Sequence, residues 1–138
     1  MNETRICPLC GKEYADHPAI SRTKNAQEIC PQCGTAQAIT QFKIHTGQTG
    51  QTRGIAEWSK QSASRMEWLL NCFNRHLRFD WGDMDEEDLR TNDIATVSED
   101  RIFSSYNIPE EMQDGENKIW IITEWTKDTT TIMFPSEY

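Results

Sequence analysis

Between Ser64 and Leu77 the apolar residues Met66, Leu69, Leu70, Phe73 and Leu77 recur at helical spacing. That pattern predicts one amphipathic helix, with Trp68 and Cys72 on its flank and His76 complementing the dipole near its end. Further along, helical spacing gives way to short β-branched and aromatic runs. Arg101 to Ile108 reads as a strand, and Lys118 to Trp125, with Ile119, Trp120, Ile121 and Ile122, reads as the central strand. Thr126 to Thr129 makes a tight connection to a hairpin partner over 130–134, which Pro135 ends. A helix capped by Asp83 or Asp85 is predicted ahead of these strands, with Leu89, Ile94 and Val97 on its buried side. Nearer the N-terminus, Thr35 caps a short predicted helix whose apolar members are Ala36, Ala38, Ile39 and Phe42. Residues 43–54 break the pattern, because Gly47, Gly50 and Gly54 among threonines and glutamines predict a linker or an exposed strand.

The first forty residues are organised by cysteine rather than by hydrophobic period. Cys7-Pro8-Leu9-Cys10-Gly11 is answered, nineteen intervening residues after Cys10, by Cys30-Pro31-Gln32-Cys33-Gly34. Two Cys-x-x-Cys pairs at that separation bring four thiolates to one tetrahedral ion at about 2.3 Å, a closed structural site with no open position. Pro8 and Pro31 stiffen the turns, and Gly11 and Gly34 are placed to take a positive φ. Zinc is the expected metal, held by Cys7, Cys10, Cys30 and Cys33. Disulfides are the alternative in an oxidising compartment, but no apolar leader follows Met1, so reduced thiols and a cytoplasmic location are expected. Iron is a second alternative, since such turns also resemble those of rubredoxins. With Tyr14 the only aromatic between the pairs, the apolar shell is small for a redox iron. A segment of about forty residues usually needs a metal or disulfides to fold, and such zinc sites supply on the order of 10–16 kcal/mol toward it.

The expected fold is therefore α+β: a four-cysteine zinc ribbon over 1–42, the linker or exposed strand over 43–54, and an acidic domain of helices packed on an antiparallel sheet over 55–138. No apolar run approaches membrane-spanning length. Charge divides along the same lines. Residues 1–40 balance to zero, 41–78 carry +4, and 79–138, with four basic and sixteen acidic side chains, carry −12. A zinc ribbon that grips nucleic acid normally shows a basic stripe; this one is balanced and joined to an acidic domain, which points to a basic protein partner. Five carboxylates fall between residues 83 and 88. The spacing fails the EF-hand order, because no glycine falls at loop position 6. An acidic first helical turn explains part of the cluster. The excess makes Asp83, Asp85, Glu86, Glu87 and Asp88, with Glu110 and Glu111, the candidate partner-binding residues.

Phosphate-binding glycine loops, Gly-x-Ser-x-Gly elbows and His-Glu-x-x-His helices are absent, and His17, His45 and His76 lie in unrelated contexts. The sequence thus reads as a binding protein rather than an enzyme. The segment Ile6 to Glu13, with Ala19 to Arg22 and Ile29 to Thr35, resembles the small zinc ribbons of Gram-positive bacteria and their phages. Asp80-Trp81-Gly82-Asp83, with Lys118 to Glu124 and Thr130 to Tyr138, resembles small acidic proteins of mobile genetic elements. Together they resemble phage anti-CRISPR proteins of the type II-A class, zinc-containing inhibitors of an RNA-guided nuclease. The resemblance implies a type II CRISPR effector nuclease as the partner, with its engagement of target DNA blocked. The competing expectation is a zinc-ribbon regulator that binds nucleic acid through Arg5, Lys12, Arg22, Lys24, Arg53, Lys60, Arg65, Arg75 and Arg78.

Overall fold

The computed structural model describes residues 3–138. Two small hairpins come first, β1 (Arg5–Ile6) with β2 (Glu13–Tyr14) and β3 (Ala19–Ile20) with β4 (Glu28–Ile29). Helix α1 (Pro31–Thr46) leads to β5 (Gln48–Gln51), then α2 (Arg53–Ser59), α3 (Ala63–Leu77) and α4 (Glu86–Ala95). Strands β6 (Ile102–Asn107), β7 (Lys118–Thr123) and β8 (Thr129–Met133) follow. The class is α+β. Among the described residues no helix is long and apolar enough to cross a membrane.

The main sheet has the order β5-β8-β7-β6. Strands β6, β7 and β8 form an antiparallel meander, whereas β5 runs parallel to β8, with Gln48 opposite Thr129 and Gln51 opposite Ile132. Parallel pairing needs a long crossover, and α2, α3 and α4 supply it between β5 and β6. The tight turn between β7 and β8 is closed by Lys127, at φ 66, whose N–H donates to the Glu124 carbonyl at 2.8 Å. Side chains alternate across a strand, so Tyr106, Ile119, Ile121 and Ile132 share one face. There they form a core with Ile55, Trp58, Leu69 and Cys72 from α2 and α3. Trp58 anchors it edge-on, 5.9 Å from Trp68 and 6.0 Å from Phe134.

The outer edge of β6 is covered. The Asn92 side chain of α4 pairs with Phe103 as a strand would: its Oδ1 accepts from the Phe103 N–H at 2.9 Å, and its Nδ2 donates to the Phe103 carbonyl. Ser105 N–H donates to the Trp81 carbonyl at 3.1 Å, and Asp83 N–H donates back to the Ser105 carbonyl at 2.7 Å. Asn107 N–H is taken by Asp83 Oδ2 at 2.9 Å. An edge closed in this way offers no template to another chain.

Several expectations are corrected. Helix α3 turns Leu69, Cys72 and His76 inward and leaves Met66 41% and Leu70 56% exposed, so its buried face is rotated away from the apolar stripe. The reason is His76. Rather than complementing the dipole at the helix end, it is fully buried, with Nδ1 2.6 Å from Ser104 Oγ and Nε2 2.8 Å from Thr123 Oγ1. Burial holds its pKa down at about 3, so the ring is neutral. Helix α1 starts at Pro31 rather than after Thr35 and buries Cys33, Gln37, Thr40 and Ile44, while Ile39 and Phe42 are 51% and 67% exposed. In α4 it is Asn92, Asp93 and Ala95 that face inward, and Ile94 is exposed. Residues 43–54 hold the last turn of α1, the exposed strand β5 and the start of α2.

Candidate functional site

The two cysteine turns are built differently. Cys7 leaves strand β1, its carbonyl accepts from Gly11 N–H at 2.8 Å, and its own N–H donates to the Lys12 carbonyl at 2.9 Å. Gly11 takes φ 75 there, as the expected tight turn requires. At the second pair Cys30 is the N-cap of α1 and Cys33 lies in the first helical turn. Gly34 is accordingly helical, and its lack of a side chain serves a close approach: a Cβ there would stand 2.6 Å from Ala19 Cβ. This corrects the positive φ expected at Gly34.

The sulfurs of Cys7, Cys10, Cys30 and Cys33 all lie within 4.8 Å of one another, and Cys10 Sγ to Cys30 Sγ measures 3.8 Å. A tetrahedron with metal–sulfur bonds of about 2.3 Å has edges of about 3.8 Å, so the four thiols fit one ion. Cys7, Cys30 and Cys33 are buried and Cys10 is exposed. Backbone N–H groups are aimed at the sulfurs: Cys30 N–H donates to Cys7 Sγ and Cys33 N–H to Cys30 Sγ, each at 3.4 Å. Burial pushes the Cys7 thiol up, but the N–H groups of Cys30, Cys10 and Leu9 outweigh it and bring the pKa to about 6. Burial first, then the neighbouring sulfurs, push Cys33 up. Four thiols this close cannot all ionise without a cation among them. Such an ion would hold the ends of both hairpins to the start of α1. Leu9, Tyr14 and Ile29 pack around the sulfurs, and Val97, after α4, closes against them.

A buried polar network ties this centre to the rest of the fold. Gln37, fully buried on α1, accepts from Arg22 N–H at 2.8 Å and donates to Ser21 Oγ at 3.0 Å and Thr96 Oγ1 at 2.9 Å. Thr40 Oγ1 donates to the Thr96 carbonyl at 2.8 Å. The cysteine segment, α1 and the end of α4 therefore meet at one satisfied cluster. Sequence reasoning passed over Gln37 and Thr40. Their signal was the spacing Cys33, Gln37, Thr40, Ile44, a helical face on which polar residues replace apolar ones.

The acidic candidates fall into working and free groups. Asp85 is the N-cap of α4, its carboxylate accepting from Asp88 N–H at 2.8 Å, and Asp83 is engaged with Asn107. Glu86, Glu87 and Asp88 are exposed in the first turn of α4. Glu110 and Glu111 are exposed in a 3-10 turn after β6. The Asp83–Asn107 contact brings the start of α4 beside the end of β6, so both groups flank the same end of that strand. Among the described residues, none of the seven makes an ion pair. By contrast, Arg5, Arg53 and Arg75 are paired with Glu28, Glu57 and Asp80, the last through two hydrogen bonds of 2.9 and 3.2 Å. Comparison with protein-family models, curated proteins and solved structures finds no match to this chain.

Proposed function

We propose that this chain is a zinc-stapled binding protein that presents an acidic surface to a basic protein, and that the partner is a type II CRISPR effector nuclease whose access to target DNA it blocks. Zinc is favoured because four thiolates with no open position suit a closed, redox-inactive site. The partner class rests on the sequence resemblance, and the observation that carries the mode of binding is the unpaired state of Glu86, Glu87, Asp88, Glu110 and Glu111. Carboxylates without internal counter-ions are free to meet the Lys and Arg side chains with which such nucleases hold nucleic acid. A binding role rather than catalysis is supported by His76, which is sealed in the core between two hydroxyls.

The test is a DNA-cleavage assay with a type II effector, using wild type and the variant Glu86→Gln, Glu87→Gln, Asp88→Asn. Asp85 is kept because it caps α4. Inhibition by wild type that weakens with salt, and a variant that inhibits less with a flatter salt response, are expected. Equal inhibition by the variant with unchanged salt dependence refutes the acidic contact. Absence of inhibition by wild type refutes the nuclease as partner. The nucleic-acid regulator is the competing reading. Arg22, His45 and Arg78 rim a groove floored by Ala38, Phe42 and Leu77 between α1 and α3, and a gel shift with plain DNA or RNA at physiological salt decides for or against it.

A further inference from the structure

Helices cover one face of the main sheet and leave the other bare. On the covered side Tyr106, Ile119, Ile121 and Ile132 meet α2 and α3. Side chains alternate, so Phe103, Trp120, Ile122 and Met133 point the other way, with Phe103 opposite Ile122 and Trp120 opposite Met133. Phe103, Trp120 and Met133 are half-buried, and none of them belongs to a hydrophobic cluster among the described residues. Tyr138 reaches this face from the chain's last turn. Its ring, on a residue 69% exposed, meets Trp120 edge-on at 5.8 Å, and Phe103 lies 4.7 Å from Trp120. Trp58 and Trp81 donate their indole N–H groups to Met112 and Asp93, whereas that of Trp120 has no partner among the described residues and is not buried. Aromatic rings gathered on an open surface are what anchor protein interfaces.

Charge selects the occupant. Residues 98–138 hold the three antiparallel strands and their connections, and they carry nine acidic and three basic side chains, for −6. Two of those cations are committed. Lys127 Nζ is buried, donating to the Ser98 and Asp100 carbonyls at 2.9 and 2.6 Å, and Arg101 is paired with Glu124 at 2.9 Å. Asn107 points the same way as Phe103 and lies where Asp83 joins α4 to the end of β6, so the aromatic face runs into the acidic end. A polynucleotide could stack on such rings, but its phosphates would be repelled here. A cationic protein would be drawn in. Arg101 already shows the recognition within the chain: its guanidinium stands 5.6 Å from the Tyr138 ring centre while its Nε donates to Glu124.

We propose that this outer face is where the basic partner docks, with an arginine of the partner laid over the Trp120 ring and flanked by Phe103 and Tyr138. The inference rests on the proposed function for the partner's basic character, and adds the surface and the side chain it uses. Arginine is selected over lysine because a planar guanidinium stacks on a ring while its N–H groups reach carboxylates. Glu116, held by Ser136 at 3.0 Å in the turn that carries Tyr138, is one such carboxylate.

The test titrates nine-residue arginine and nine-residue lysine peptides into the full metal-loaded chain. Affinity is read by anisotropy of labelled peptide, and the Trp120 indole N–H is followed by NMR and assigned by its loss in Trp120→Leu. The arginine peptide is expected to shift that resonance and to bind about two- to fivefold more tightly than the lysine peptide. Tyr138→Ala removes an exposed ring and leaves Arg101 its pairing with Glu124. It is expected to weaken the arginine peptide by a similar factor with the salt dependence unchanged, whereas the Glu86, Glu87 and Asp88 variant flattens that dependence. An indole resonance that stays still, equal affinity for the two peptides, or a Tyr138→Ala chain that binds as wild type does each overturns the docking face. The cleavage assay separates the two readings. A wild type that fails to inhibit but binds the arginine peptide at Trp120 removes the nuclease and keeps the face. Trp120→Leu and Tyr138→Ala chains that both inhibit as well as wild type remove the face and keep the nuclease.

Discussion

Acid should undermine this fold through a residue that no solvent touches. His76 is wholly buried, its two ring nitrogens are occupied by Ser104 and Thr123, and its edge lies against Trp81 at 5.8 Å between centroids. In the folded chain the ring resists protonation down to about 3, because burial penalises the cation, against an ordinary value of 6.5. Below 6.5 the unfolded chain takes up a proton that the folded chain refuses. Stability is therefore fully present above that value and declines as pH falls, by about 1.4 kcal/mol per pH unit until the folded pKa is reached. Near pH 5 the loss from this one group comes to about 2 kcal/mol. The perturbation is His76→Gln, which keeps an amide able to meet a hydroxyl but cannot ionise. Urea unfolding of both proteins, followed by tryptophan fluorescence from pH 7.5 to about 5, gives the difference in stability. Every other titrating group is common to both chains, and its contribution cancels. At neutral pH wild type is expected to be the more stable, and the gap should narrow by about 2 kcal/mol on acidification. A gap that does not change with pH would refute the buried, neutral histidine.

Two further outcomes follow from the same physics. Cys30→Ser removes a sulfur while its hydroxyl can still cap α1, so metal content should fall to background and the first forty residues should lose their native spectrum through the lost ion alone; retention of metal and spectrum would exclude the four-sulfur site. Asn92→Leu leaves the Phe103 N–H and carbonyl without partners, at about 1–3 kcal/mol each, so urea unfolding should report a loss of roughly 2–6 kcal/mol, together with association through the bared β6 edge. An unchanged midpoint would show that water replaces Asn92 at no cost.

The four cysteines, the α3 helix, the Asp85 cap and the β7–β8 hairpin were legible in the chain because each rests on a local rule of spacing, capping or β-branching. What escaped is non-local. Helix α1 buries Gln37 and Thr40 because Ser21, Arg22 and Thr96, distant in sequence, satisfy them, and Ile39 and Phe42 are turned outward as a result. The position of His76 near a helix end suggests a partner for the dipole, since nothing near it announces Ser104 or Thr123. Strand β5 was half visible. Its polar, glycine-containing run suggested exposure, but only the crossover through three helices makes it parallel to β8. Of the acidic candidates, the chain gave the cluster but not the division between Asp83 and Asp85, which hold structure, and Glu86, Glu87 and Asp88, which hold none.

Helix α1 begins on one sulfur ligand and stops one residue short of the sheet's open border. No proline lies inside it beyond its first residue, so it runs unbroken between those two places. Its sixteen residues, at about 1.5 Å each, set the sulfur cluster about 24 Å from the polar strand that follows. The element that starts at the metal centre is thus the one that delivers the chain to the main sheet, and the distance between the two is set by helix length alone.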